Sequence, residues 1–95
     1  MKGAYWIANV RVTNEEAYGR YAAIATKAIA AHGGKFLVRG GDYVQLEGRD
    51  RPRNVVAYFP SLEAAETCYR SAQYQEALGH AQGASERDLV IVEEA

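Results

Sequence analysis

The chain has 95 residues, of which 48% are hydrophobic and 24% charged, with a formal net charge of −1; this composition is ordinary for a globular domain. The length predicts a single domain over residues 1–95, with a core small enough for a partner subunit to help. The mixed charges remove the electrostatic attraction on which nucleic-acid binding depends, and no apolar stretch approaches the about 20 residues of a membrane span. We therefore expect neither nucleic acid nor a membrane as partner.

The reactive side chains are few. Cys68 is the only cysteine, so it has no internal disulfide partner, and the two histidines have no spacing that fits a metal site. We therefore predict no metal and no cofactor. The sequence opens on a strand pattern without the apolar core of an export signal, so we expect a cytoplasmic location.

The first two elements are predicted from periodicity. Residues Ala4–Val12 alternate, with one face wholly apolar, which is typical of a half-buried strand. Thr13 and Glu16 fit a capping box, and apolar residues then recur at helical spacing, so a helix is predicted from Asn14 to His32. The glycines that follow would end it.

The segment from Lys35 to Arg39 is predicted to be the second strand. The pair Gly40-Gly41 has only a conformational interpretation, because two glycines within a strand pattern indicate a bulge or sharp bend. Alternation resumes with Val44 and Leu46, which favours continuation of the strand.

A third strand is predicted over Arg53–Phe59, paired with the second through a turn at Gly48–Pro52. The basic segment Arg49–Arg53 is interrupted by an aspartate and a proline. We interpret it as a solvated hairpin tip in preference to a phosphate site.

The remaining elements complete a recognisable order. Ser61 is expected to cap a helix over Leu62–Arg70, Ser71 to cap a further turn or two, and Asp88–Glu93 to form the last strand. The order β-α-β-β-α-β predicts an α+β, ferredoxin-like fold: a four-stranded antiparallel sheet with both helices on one face.

The other face of this sheet is expected to be too apolar to remain in water. Strict alternation assigns to it Tyr5, Ile7, Leu37, Val56 and Tyr58, with polar Asn9, Arg39 and Asn54. A second copy of the same face would cover it, so we predict a two-fold homodimer whose sheets enclose a partly polar cavity.

The sequence also resembles a known family. The resemblance is carried by five ordered blocks: Tyr5-Trp6-Ile7-Ala8, Gly33-Gly34-Lys35-Phe36-Leu37-Val38-Arg39-Gly40-Gly41, Glu47-Gly48, Phe59-Pro60-Ser61 and Tyr69-Arg70-Ser71. These are similar to the family called domain of unknown function 1330 (DUF1330), of the dimeric α/β-barrel superfamily. The resemblance implies a paired barrel among relatives that include cofactor-independent monooxygenases, isomerases and haem-degrading enzymes, and it implies no defined activity.

The chain departs from the family pattern at three positions. Tyr58 stands where a glutamate is usual, Ala72 where a proline is usual, and Ala81 near a usual arginine. The resemblance therefore extends to Arg39, which lies within a matching block, and does not extend to Tyr58.

Three side chains are candidates for ligand binding. Arg39 at the mouth of an apolar cavity would clamp a carboxylate, or alternatively form a salt bridge with Glu47 or Asp42. Asn9 would hydrogen-bond a ligand carbonyl or else a buried neighbour, and Tyr58 would donate a hydrogen bond or simply pack.

These candidates lead to two functional hypotheses, and whether the protein is an enzyme stays open. In the first, a homodimeric barrel binds a small, mainly apolar organic acid between its sheets, as a cofactor-independent oxygenase or isomerase. In the second, a non-catalytic dimer fills the cavity with its own side chains, and Arg39 pairs with Glu47.

Overall fold

The computed structural model describes residues 2–95 and has the predicted ferredoxin-like fold. Its elements are β1 Ala4–Val12, α1 Glu15–Ala31, β2 Lys35–Arg39, β3 Arg53–Phe59, α2 Leu62–Arg70, α3 Ala72–Ala81 and β4 Ser85–Glu93. The strands form one antiparallel sheet in the order β2-β3-β1-β4, so β2 and β4 are its edges. Within the described residues, no helix is long and apolar enough to cross a membrane.

The core lies between the sheet and the helices. As the alternation predicts, β1 turns its even-numbered residues inward, with Trp6 at 1% exposure and Val10 at 0%. Trp6 packs against Phe59 and Tyr74, at ring-centroid distances of 5.6 and 5.0 Å. The buried side of α1 consists of Tyr18, Tyr21, Ala25, Ala28 and Ile29, so aromatic and aliphatic side chains fill the space between this helix and the sheet.

The cap of α1 differs from the prediction. Asn14, rather than Thr13, is the N-cap: its backbone is extended and its side-chain oxygen accepts a hydrogen bond from the amide of Ala17 at 3.1 Å. The Thr13 amide instead donates to the Ala84 carbonyl at 2.8 Å. The Asn14 amide donates to the same carbonyl at 3.1 Å, so both residues are tied to the chain before β4, and the side chain of Asn14 caps the helix.

The second helical region matches its predicted start. Ser61 caps α2, and Ser71 both ends α2 and caps α3, since its hydroxyl donates to the Cys68 carbonyl at 2.7 Å and accepts from the Tyr74 amide at 3.2 Å. The helix α3 has 10 residues, longer than the turn or two predicted. Strand β4 begins at Ser85, three residues before the predicted start.

The chain after β2 differs most from the prediction. The predicted continuation through Val44 and Leu46 is wrong, because β2 ends at Arg39 and residues 40–52 contain no strand. Gly40 adopts a φ of +72° and its amide donates to the Asn54 carbonyl at 2.8 Å, which turns the chain away from the sheet. The unpaired Val44 and Leu46 side chains are 82% and 86% exposed.

The irregularity in β2 lies at Leu37, not at the glycine pair. Lys35 pairs with Tyr58 and Phe36 with Ala57, but the register then shifts, so that Val38 pairs with Val56. A bulge places two residues opposite one, and it therefore reverses the face of every later side chain in the strand. Arg39 is such a side chain.

The molecule is a two-layer slab of 37 × 32 × 17 Å. The thin dimension accommodates one sheet and one layer of helices. One broad face of the sheet is therefore left without a covering layer.

Candidate functional site

The uncovered sheet surface, here called the open face, carries apolar side chains on all four strands. Its apolar middle consists of Tyr5, Ile7, Val38, Val56, Tyr58, Val90 and Val92, with Leu37 at the bulge. Val90 is 56% and Val92 46% exposed, whereas Ile7 and Val56 are half-buried. The open face thus has the apolar character that the sequence predicts.

Asn9 lies at one end of the open face and is bonded to its cross-strand neighbour. Its side-chain amide donates to the side-chain oxygen of Asn54 at 2.7 Å. Nearby, Arg51 forms an ion pair with Asp88 at 2.8 Å and is only 5% exposed, so the predicted solvated hairpin tip is wrong at this residue. Loop residues 45–49 complete a cleft of about 330 Å³ beside Asn9.

Tyr58 lies at the other end of the open face. Its hydroxyl donates to a Glu94 carboxylate oxygen at 2.9 Å, and the same oxygen accepts from the Gly3 amide at 2.5 Å. The hydrogen bond to Glu94 raises the pKa of Tyr58, while the bonds from Gly3 and Tyr58 lower the pKa of Glu94. Tyr58 is therefore a hydrogen-bond donor at neutral pH and not a base.

Asn9 and Tyr58 share a face but are separated along it. Tyr58 of β3 pairs with Tyr5 of β1, and Asn9 lies four residues beyond Tyr5 on β1. At about 3.4 Å per residue the two side chains are roughly 13 Å apart. A small ligand within one subunit can therefore contact only one of them.

Arg39 does not lie on the open face. It pairs with Val55, whose side chain faces the helices, and its guanidinium donates to the Thr26 hydroxyl of α1 at 2.6 Å. The predicted placement beside Asn9 and Tyr58 is therefore wrong, and so is the alternative ion pair with Glu47. The bulge at Leu37 is the cause of both errors.

Arg39 instead helps to line a small cavity between α1 and the sheet, here called the arginine pocket. Its volume is about 30 Å³. Arg39, Arg53 and Arg87 line it from three strands, together with the Tyr21 and Thr26 side chains and a mostly apolar remainder that includes Trp6. No acidic residue is among its lining residues.

Two lining residues of the arginine pocket, Tyr21 and Arg87, are bonded to each other and to Tyr74, which lies behind the lining. The hydroxyls of Tyr21 and Tyr74 are 2.7 Å apart, and Arg87 donates to them at 2.8 and 3.2 Å. Burial raises the pKa of both tyrosines, although Arg87 opposes the rise. Both phenols are therefore neutral donors and acceptors, and the charge of this cluster is that of Arg87.

Sequence reasoning missed Arg87 and assigned Arg53 to a solvated hairpin tip, although the alternation contained the signal. In β3 the inward series is Arg53, Val55, Ala57 and Phe59, and in β4 it is Ser85, Arg87, Leu89 and Ile91. Each series has an arginine directly before its apolar residues. Assigning β4 its full length would have placed Arg87 on the helix side.

The remaining reactive residues do not form a site. Cys68 is buried, and burial raises the pKa of its thiol to about 11, so it is a packing residue. Within residues 2–95, no three histidine, cysteine, aspartate or glutamate side chains converge to hold a metal ion.

These features define the class: a ferredoxin-like domain with one bare sheet face and a cationic pocket beneath its first helix. The chain belongs to the family described as a domain of unknown function, DUF1330, whose sequence profile matches residues 3–95. Among proteins with a curated description, none matches the sequence.

Several solved structures share the fold. The RPA0582 protein of unknown function from Rhodopseudomonas palustris is 22% identical, with a TM-score of 0.82 over 99% of this chain and 83% of that one. SnoaB, a cofactor-independent oxygenase from Streptomyces nogalater, is 12% identical, with a TM-score of 0.67 over 100% and 95%. A dimeric ferredoxin-like protein of unknown function from Thermobifida fusca is 17% identical, with a TM-score of 0.66 over 98% and 92%. At these identities the likeness establishes the fold alone.

Proposed function

We propose that the protein is a cytoplasmic homodimer in which two open faces meet and enclose a cavity that binds a small, mainly apolar organic acid. The observation that carries the proposal is the open face itself, because an apolar surface across four strands is unfavourable in water. A two-fold axis through this face would cover it with an identical surface. The slab's broad face of 37 × 32 Å accommodates the about 800 Å² per partner that a standard interface buries.

The polar ends of the open face supply the contacts for a ligand. Its apolar body would lie over Ile7 and Val56, and Asn9 would hydrogen-bond a carbonyl or hydroxyl group at one end. Tyr58 would serve the other end, held by Glu94. Because the two ends are roughly 13 Å apart, each ligand uses one of them, unless the second subunit supplies the other.

Arg11, and not Arg39, would bind the acid group of the ligand on this face. It follows Asn9 by two residues, so its side chain lies on the open face, where its guanidinium donates to the backbone carbonyl of Asp50. Arg11 is exposed and free to turn toward a carboxylate at the Asn9 end. An oxygenase or isomerase activity is supported only by fold-level analogy with oxygenase relatives such as SnoaB.

The dimer is tested by native mass spectrometry and light scattering on Val90→Lys. This substitution places a charge on the open face, halfway along the edge strand β4, where the residue is 56% exposed, so the single subunit should fold while the dimer dissociates. Leu62→Lys is the matched control, because Leu62 is 38% exposed on α2, away from the open face. A monomeric wild-type protein at micromolar concentration would contradict the proposed interface.

Ligand binding is tested by a thermal-shift screen of aromatic and aliphatic acids. Hits should bind the wild type and lose affinity in Arg11→Gln and Asn9→Ala, and each hit should then be assayed for oxygen consumption. A hit whose affinity is unchanged in both variants does not bind at the Asn9 end of the open face. A screen without hits would leave the dimer and remove the proposed ligand.

The second candidate function is a non-catalytic dimer with a filled cavity. It is favoured by the edge-to-face contact of Tyr5 with Tyr58, at 5.4 Å, and by the mutual hydrogen bond of Asn9 and Asn54. The ion pair of Arg39 with Glu47 that the sequence suggested for this second function is not among the ion pairs of residues 2–95. A dimer that forms normally and responds to no acid would favour this second function.

A further inference from the structure

The arginine pocket has an unbalanced charge. Three guanidinium groups, from Arg39, Arg53 and Arg87, line a single small cavity. None of them forms an ion pair with an acidic side chain within residues 2–95. Cations gathered in this way repel one another, and the repulsion is relieved when an anion lies between them.

We propose that the arginine pocket binds a small oxyanion with more than one negative charge, either a phosphate group or a dicarboxylate. This site lies on the opposite side of the sheet from the open face and is independent of the function proposed above. No residue is shared between the two sites, so each can fail without the other.

Unused donors point to the same conclusion. The Nε atoms of Arg53 and Arg87 are fully buried and have no hydrogen-bond partner among residues 2–95. A buried donor without a partner is unfavourable, and most such donors in folded proteins are satisfied. The two arginines therefore keep a hydrogen-bonding capacity that the described residues do not use.

The guanidinium planes are also held in place. Each lies over an aromatic ring, with centroid distances of 4.5 Å for Arg39 on Phe36, 5.7 Å for Arg53 on Tyr18 and 4.6 Å for Arg87 on Tyr21. Stacking fixes a guanidinium by its face and leaves its N–H edge free to donate. Three edges fixed in this way form a preorganised set of donors.

The size of the cavity limits the ligand. One water-sized atom needs about 10–15 Å³ of such volume, so a cavity of about 30 Å³ holds two or three oxygen-sized atoms. It therefore holds one carboxylate or part of one phosphate group, and the rest of the ligand, including the second carboxylate of a dicarboxylate, lies at the entrance. Arg39 is the exposed member of the three, which places the entrance on its side.

A purely structural role for the arginines makes a different prediction. If the three arginines only stack on aromatic rings and bond to tyrosine hydroxyls, neutralising Arg39 or Arg53 reduces the repulsion between their positive charges. In that case no anion binding depends on Arg39 or Arg53. The proposal requires that binding of a divalent anion depends on both of them.

The test is a titration with inorganic phosphate, malonate and acetate at constant ionic strength, with sodium chloride as the balancing salt. Trp6 is the only tryptophan and lines the pocket, so its fluorescence reports occupancy, and calorimetry gives the stoichiometry. We expect one phosphate or malonate per chain, with acetate binding at least about tenfold more weakly. Saturation by phosphate alone identifies a phosphate group, and saturation by malonate alone a dicarboxylate.

Variants assign the binding to the pocket. Affinity should fall about tenfold or more in Arg53→Gln and in Arg39→Gln, and stay unchanged in Arg20→Gln, whose arginine lies on the outer surface of α1. If circular dichroism shows that Arg53→Gln does not fold, the titration of Arg39→Gln decides whether the anion binds in the pocket. Arg39 is exposed, so its substitution should leave the protein folded. Absence of saturable binding by both divalent anions, equal binding of acetate, or unchanged affinity in Arg39→Gln would overturn the proposal.

Discussion

The hydroxyl of Tyr74 provides a sharp test of the cluster behind the arginine pocket. Tyr74 is fully buried, and its hydroxyl contacts Tyr21 at 2.7 Å and accepts from Arg87 at 3.2 Å. Tyr74→Phe removes both bonds and leaves the ring in place. Tyr21 and Arg87 remain bonded to each other at 2.8 Å, so neither is left without a partner.

The expected loss of stability in Tyr74→Phe follows from the two hydrogen bonds that it removes. A neutral hydrogen bond contributes about 1 kcal/mol and one from a charged donor about 1.5–3 kcal/mol. The Arg87 contact is long and Arg87 retains a partner, so we expect Tyr74→Phe to lower the free energy of unfolding by about 2 kcal/mol. For a domain of this size that corresponds to a fall in Tm of roughly 8–16 °C.

Urea denaturation followed by far-ultraviolet circular dichroism measures this loss at one fixed protein concentration. Tyr69→Phe is the matched control: the same atom is removed from a half-buried tyrosine of the same aromatic cluster, whose hydroxyl makes none of the hydrogen bonds described above. We expect its effect to stay within about 0.5 kcal/mol. Equal effects of the two substitutions would refute the reasoning that the Tyr74 hydroxyl is a stabilising member of the cluster.

Three further predictions concern local structure. Asn14→Ala should lower the free energy of unfolding by about 1 kcal/mol in urea denaturation, and Thr13→Ala should lower it by less. A larger loss in Thr13→Ala would instead support the predicted capping box at Thr13. Gly34→Ala places a methyl group 2.5 and 2.8 Å from buried side-chain atoms and should destabilise by about 1–3 kcal/mol, whereas Gly79→Ala meets nothing within 4 Å and should stabilise by about 0.5–1 kcal/mol. Equal midpoints for the two alanines would contradict this steric argument. The folded pKa of Glu94 lies below its ordinary value of 4.5, so its stabilisation is complete above that pH and lost as pH falls through the lowered value. Glu94→Gln should therefore flatten the acid side of the stability profile, and parallel profiles would show that Glu94 is not responsible.

The fold was predictable because its signals are local and agree with one another. Alternation in Ala4–Val12 fixes which side of β1 is buried, and Trp6 at 1% exposure follows from it. Ser61 and Ser71 mark helix starts that the structure places at the next residues, Leu62 and Ala72. Such signals need no knowledge of the rest of the chain.

The candidate site was predictable only in part, because its placement depends on pairing between strands. Asn9 and Tyr58 lie on the open face because β1 and β3 keep strict alternation. Arg39 does not, because a bulge at Leu37 shifts the phase by one residue, and nothing in Lys35–Arg39 distinguishes a bulged strand from a regular one. The predicted bend does occur at Gly40, but the register shift that reverses Arg39 lies before it, at Leu37.

The strand β3 connects the two proposed sites, because its alternate side chains serve opposite sides of the sheet. Asn54, Val56 and Tyr58 face the open side, whereas Arg53 and Val55 line the arginine pocket. A ligand on one side can therefore affect the other only by moving the backbone of this central strand, which is paired on both edges. Rigid pairing of that kind favours independent sites, so a dimer-breaking substitution on the open face should leave anion binding in the arginine pocket unchanged.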